Sequence, residues 1–171
     1  MIEVLTIVFP ALLVLLTAYL LIDKLLRNEE KRRKFEFSMK NQSIITPIRL
    51  RAYERLVLLL ERTSPSWLIL NVAKPHMTNM ELQTQLLASI RQEFNHNLSQ
   101  QIYVSKEAWL FVRTAQESLL RLVNTCSASC NPADSATVLA EMLIQVFSES
   151  EQTPTEMALE KLKNEVKQYF Q

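Results

Sequence analysis

Val4 to Ile22 reads VLTIVFPALLVLLTAYLLI, nineteen consecutive residues without a charge. As a helix rising about 1.5 Å per residue, a run of this length crosses roughly 30 Å of hydrocarbon. A run of about 10–14 residues would instead suit a buried core helix or the core of a signal peptide. The expectation is one transmembrane helix, an anchor over residues 1–27, with membrane lipid as its first partner.

The flanks set its direction. Glu3 is the sole side-chain charge before the run. After it come Lys24, Arg27, Lys31, Arg32, Arg33 and Lys34, against Asp23, Glu29 and Glu30. Lys and Arg near the ends of a span decide its orientation, and acids count little. The N-terminus is therefore expected outside and the rest of the chain in the cytoplasm. A signal peptide has the reverse order of charge and ends on a small-residue cleavage site. No such site follows Ile22, so the anchor is expected to be uncleaved. Pro10 removes one helix hydrogen bond, which membrane helices tolerate as a bend. Ala11, Thr17 and Ala18 are small, but no GxxxG pattern supports helix pairing in the bilayer.

The 171 residues contain no glycine at all. Average usage is about 7%. Glycine serves positive φ, tight hairpins and close backbone approach to phosphate. Its absence excludes a P-loop, a dinucleotide fingerprint, a kinase glycine loop and a GxSxG elbow. A β-rich fold is disfavoured for the same reason. Helices joined by short connections punctuated by Pro and Asn need glycine least.

The net charge of +1 is unevenly spread. Residues 1–91 hold 13 Lys/Arg and 8 Asp/Glu, and residues 92–171 hold 6 and 10. The basic half adjoins the expected span and suits an anionic cytoplasmic leaflet. Ordinary stop-transfer charge explains most of this bias. A nucleic-acid role would need a denser basic patch in the soluble part, so nucleic acid is not an expected partner.

After the span, residues 28–45 read as a charged juxtamembrane helix or linker, and residues 46–171 as a helical domain. Thr46-Pro47 reads as an N-cap followed by proline at the first helical position. The helix so opened, IRLRAYERLVLLLER, carries Ile48, Ala52, Tyr53, Leu56, Val57, Leu59 and Leu60 on one half of its circumference. Arg51, Glu54, Arg55, Glu61 and Arg62 occupy the other half, with Leu58 among them. Leu58 is either a lone exposed leucine or part of a contact surface. Ser66 to Met77 is short and apolar, read as an irregular segment on the core or one short strand. Thr78 and Glu81 form a capping box ahead of Leu82, Leu86, Leu87, Ile90 and Phe94. A polar break from Asn95 to Gln101 precedes Ile102-Tyr103-Val104. Ser105 caps the next helix, with Trp109, Val112, Leu119, Leu120 and Val123. Asn131-Pro132 is read as the start of another, with Val138, Leu139, Met142, Leu143, Val146 and Phe147. Thr153-Pro154-Thr155-Glu156 opens the last, with Met157, Leu159, Leu162, Val166 and Phe170. The fold class expected is all-α, one N-terminal transmembrane helix followed by a cytoplasmic bundle of four to five helices.

Few residues suggest chemistry. Cys126 and Cys130 lie four apart, but their spacing to His76 and His96 fits no zinc finger, and a cytoplasmic location disfavours a disulfide. Glu93 and His96 match half of a di-iron motif, which needs two such pairs and two further glutamates. No metal and no cofactor is expected, and no nucleophile–base arrangement stands out. The amide-rich polar stretch from Glu93 to Gln101 either pairs with the backbone where a helix is interrupted or forms a recognition surface.

Two blocks, TPIRLRAYERLVLLLER (residues 46–62) and EFNHNLSQQIYVS (residues 93–105), the second followed by Ala108-Trp109, resemble an uncharacterised family of small bacterial proteins of the Bacteroidota. The resemblance implies an N-terminal span, a cytoplasmic helical domain and a bacterial inner-membrane location. It implies no activity and no catalytic residue.

The functional expectation is a non-enzymatic, membrane-anchored interaction or scaffold module, or an accessory subunit, binding a protein partner or its own copies. Its candidate surface comprises Arg51, Arg55, Leu58, Arg62, Glu93, His96, Asn97 and Gln100. One alternative is a small-ligand binder or enzyme with a polar site over Glu93–Asn97, assisted by Arg49, Arg51 or Arg55, for which a concave pocket is the expected sign. Another is binding of anionic lipid by the juxtamembrane basic residues.

Overall fold

A computed structural model describes residues 2–150 and 152–168, with side chains from residue 12 onward. The described residues form six α-helices and one 3-10 turn, without a strand. The helices are α1 (Ile2–Arg62), α2 (Pro65–Val72), α3 (Asn79–Asn97), α4 (Lys106–Ala128), α5 (Ala136–Ser148) and α6 (Pro154–Lys167), and the 3-10 turn is Leu98–Ile102. The chain divides into two compact units, Met1–Ile45 and Thr46–Gln171.

The first unit is helical through the charged stretch that follows the apolar run. Four (i, i+4) ion pairs line it: Asp23–Arg27 at 2.9 Å, Glu29–Arg33 at 4.0 Å, Glu30–Lys34 at 2.7 Å and Arg32–Glu36 at 2.8 Å. Each is exposed and individually weak, but the spacing suits a helix and no other backbone. Among the described residues no helix is long and apolar enough to cross a membrane. The side chains of Glu3, Val4 to Pro10 and Ala11 lie outside the described part, as does Phe170.

Thr46-Pro47 does not begin a helix, contrary to the reading from sequence. Helix α1 continues through both residues. Pro47 has no N–H to offer the carbonyl of Ser43, so one rung of the ladder is missing there. The Ser43 hydroxyl donates to the Lys40 carbonyl at 2.8 Å, a local bond that leaves the helix intact.

The second unit has two apolar clusters that share α3 and α4. In the first, Ala52, Tyr53, Leu56, Leu59 and Leu60 of α1 meet Phe94, Val104, Ala108, Val112, Ala115, Ala158 and Leu162. Trp109 packs against it with its ring tilted 34° to that of Phe94, centroids 5.3 Å apart. In the second, Leu68 and Ile69 of α2 meet Leu82, Leu86 and Ile90 of α3, Leu119, Val123 and Cys126 of α4, and Leu139 and Leu143 of α5. Ile48, expected inside, is exposed. Periodicity put it on the apolar face, but the neighbours that cover that face begin at Ala52.

Residues 66–77 are neither strand nor irregular throughout. Pro65 sits at the first position of α2, and Leu68, Ile69 and Val72 face the core at helical spacing. After Val72 the chain turns through His76, whose φ of 65° is in the left-handed region. Glycine usually takes such a position, and histidine is among the side chains that tolerate it. Helix α5 starts at Ala136, capped by Ser135, rather than at Asn131-Pro132. The Asn131 side-chain oxygen accepts from the Ala133 N–H at 3.2 Å, a local turn that delays the helix.

The capping boxes at Thr78/Glu81 and Thr153/Glu156 are both formed, and Ser105 accepts from the Ala108 N–H. The Thr78 N–H and hydroxyl hydrogen-bond to the Glu81 carboxylate and hold it below the usual carboxylate range. A lowered folded-state pKa means that this cap stabilises α3 above the unfolded value and is lost as pH falls through the folded value. The Glu81 carboxyl, followed by NMR, should therefore titrate below the usual range, and the Thr78 amide resonance should move with it.

Tyr53 and Ser105 both donate to the Glu165 carboxylate, joining α1, the start of α4 and α6. Lys161 adds ion pairs to Glu107 at 2.7 Å and Glu165 at 3.7 Å. Asn79, 1% exposed, plays the same part on the other side of the domain. Its side-chain nitrogen donates to the Asn131 carbonyl at 2.9 Å and its oxygen accepts from the Leu139 N–H at 3.2 Å. Replacing Asn79 by Ala strands both backbone groups. The expected loss is about 1–3 kcal/mol of unfolding free energy, measured by denaturant titration of the full chain.

Candidate functional site

The end of α1 buries one face and turns the other outward. On that outer face Arg51, Arg55, Leu58 and Arg62 follow one another at intervals of four, three and four residues, which keeps them in one stripe along the helix. Facing the stripe are the last turn of α3 and the 3-10 turn. Between them lies an open groove with two lobes that share Arg55 and Leu58. The larger lobe, about 670 Å³, is lined by Ile48, Arg51, Glu54, Arg55, Leu58, Ser99, Gln100, Ile102 and Tyr103. The smaller, about 400 Å³, is lined by Arg55, Leu58, Arg62, Glu93, His96 and Asn97.

The far wall owes its shape to amides. The Asn97 side chain donates to the Glu93 carbonyl at 2.9 Å, and the Leu98 N–H bonds back to the Asn95 carbonyl. This three-residue spacing tightens the α-helix into the 3-10 turn. Asn97 and Gln100 are each 7% exposed, and Gln100 donates to the Ser99 hydroxyl at 3.2 Å. The Arg49 side chain donates to the Tyr103 carbonyl at 2.9 Å and ties this wall to α1. At the other end Arg62 and Glu93 pair at 3.5 Å.

All eight residues singled out from sequence line the groove. Their roles differ. Asn97 and Gln100 are buried and support the wall through local hydrogen bonds. His96 is exposed, and its side chain makes no hydrogen bond among the described residues. Asn95 is exposed and lines neither lobe. Arg51 and Arg55 have no ion-pair partner among the described residues, although they stand one turn apart. Leu58 is 44% exposed between the lobes. Sequence reading included Ser99 in its polar stretch but missed Ile48, Glu54, Ile102 and Tyr103. For Ile102 and Tyr103 the legible signal was the apolar triplet Ile102-Tyr103-Val104; only Val104 of the three is buried, and Ile102 is 72% exposed.

A family of unknown function, DUF7935, matches residues 1–169. The chain belongs to this family. No curated protein and no solved structure matches it. The family match runs through both compact units, and the groove lies within the second.

Elsewhere in this DUF7935 member, the described residues contain no group of three or more His, Cys, Asp or Glu able to hold a metal ion. Cys126 is buried on α4 and Cys130 half-buried just beyond it. Burial, and to a lesser degree the neighbouring Cys130, pushes the Cys126 thiol above its ordinary value. Less thiolate at neutral pH and less access both slow its reaction. Limited alkylation with iodoacetamide, read by mass spectrometry, should modify Cys130 well before Cys126.

Proposed function

We propose that this chain is a single-pass protein of the bacterial inner membrane, of the Bacteroidota type that the sequence resembles. Its N-terminus is outside, and its cytoplasmic helical domain is a non-enzymatic interaction module. Val4–Ile22 is the anchor and the charges after it set the orientation. The domain docks a protein partner in the groove between α1 and the end of α3. The observation that carries this reading is the lining: two arginines without ion-pair partners beside the exposed apolar side chains of Leu58, Ile102 and Tyr103. Arginine and tyrosine are enriched at protein interfaces, where a cation and an apolar contact act together.

A second reading has its own support. Arg55, His96 and the Arg62–Glu93 pair meet at one concave lobe, where a single small anion has Arg55 and His96 to contact and competes with Glu93 for Arg62. In that case inorganic phosphate or a small carboxylate would raise the melting temperature, and Arg62→Ala would remove the effect.

Two measurements test the main reading. Carbonate extraction should leave the full chain in the membrane fraction and release a variant lacking residues 1–27. Crosslinking in native membranes should recover one dominant, stoichiometric partner, and Leu58→Asp should reduce that recovery by about tenfold or more, as loss of a central apolar contact does. Recovery of this chain alone, from both versions, would count against a docking module.

A further inference from the structure

Resting on the docking reading above, we infer that the groove takes an acidic amphipathic helix of a partner protein, about four turns long. Three observations converge on this occupant.

The first is charge. Arg51 and Arg55 stand one turn apart on α1 with no ion-pair partner among the described residues, whereas Arg62 is already engaged by Glu93. Like charges at this spacing are unfavourable in the free protein, so an incoming pair of carboxylates one turn apart relieves them. The second is length. From Ile48 to Arg62 the α1 wall rises roughly 20 Å, at 1.5 Å per residue, which is the length of about fourteen residues of a second helix laid along it. The third is polarity. Ile48, Leu58, Ile102 and Tyr103 present apolar surface to the same groove. The occupant needs an apolar side chain opposite Leu58, one turn beyond its carboxylates.

The lining also argues against extended polyanions. Glu54 and Glu93 stand in the two lobes and would repel a phosphate backbone or a sheet of anionic headgroups. A helix places its own charges opposite Arg51 and Arg55 and its neutral positions opposite the glutamates. A continuous polyanion does not have that choice.

The test uses the full chain in native membranes with a benzophenone amino acid replacing Leu58 and, in a second version, Ile102. After irradiation, mass spectrometry identifies the attached segment. The expected adduct is a protein segment with two Asp or Glu four residues apart and an apolar residue three or four further on. Arg51→Glu with Arg55→Glu should lower its yield about tenfold or more, while the double Lys variant retains most of it. Both arginines are exposed, and a thermal melt of each variant reports whether the fold is kept. An adduct on a neutral or basic segment, on lipid or on nucleic acid overturns the acidic helix. So does a yield unmoved by charge reversal in a folded variant. Adducts on protein in those cases leave the docking reading standing, whereas no adduct from either position overturns both.

Discussion

Helix α4 carries a single apolar stripe, Ala108, Val112, Ala115, Leu119, Val123 and Cys126, and both clusters of the helical domain are built against it. The spacing of three and four residues keeps all six side chains on one face. The stripe changes size along its length. Its first half is small, and there α1 and α6 come close, with Ala158 of α6 fully buried opposite. Its second half is larger and meets the leucines of α3 and α5. One helix thus lies against α3, α5 and α6 and shares a cluster with α1, while α2 packs on α3 and α5. A substitution in the small half would displace the α1 segment that forms one wall of the groove.

The groove is a consequence of that packing. Leu56, Leu59 and Leu60 commit one side of α1 to the core. Helical geometry then turns Arg51, Arg55, Leu58 and Arg62 away from it. Phe94 anchors the end of α3 in the same cluster, so the chain that follows must run beside that outward stripe. Buried Asn97 and Gln100 make the tight turn there without glycine, and Arg49 holds the turn against α1. Concavity arises because the two walls are fixed by a shared core while none of the described residues fills the space between them.

A chain without glycine shapes its helix starts and connections with polar side chains. Thr78, Ser105, Ser135 and Thr153 satisfy the first N–H groups of four helices. Asn79 and Asn131 hold the connections before α3 and α5 together, with Asn79 accepting from the Leu139 N–H inside α5. His76 adopts the left-handed conformation that a glycine would ordinarily supply. Polar side chains bonded to backbone therefore take the place of glycine in these connections and in the groove wall.

The all-helical class was legible in the sequence, because helix caps are local: a Thr or Ser followed three residues later by Glu or Gln answers a need within one turn. The outer stripe of α1 was legible too, since a period of 3.6 fixes which residues share a face whatever lies beyond the helix. Three matters were decided by tertiary structure. Residues 65–72 are apolar on nearly every side, so their period is ambiguous, and only packing of Leu68 and Ile69 against α3 and α5 makes them a helix. Helix α1 passes through Thr46-Pro47 because a proline costs one rung, which the flanking turns outweigh, whereas the local pattern alone reads as a start. The union of Arg51, Arg55 and Leu58 with Glu93, Asn97 and Gln100, some forty residues away, depends on the shared core that brings α1 and α3 together. Periodicity assigns each helix its faces, but which faces meet is set by the shapes of side chains distant in sequence.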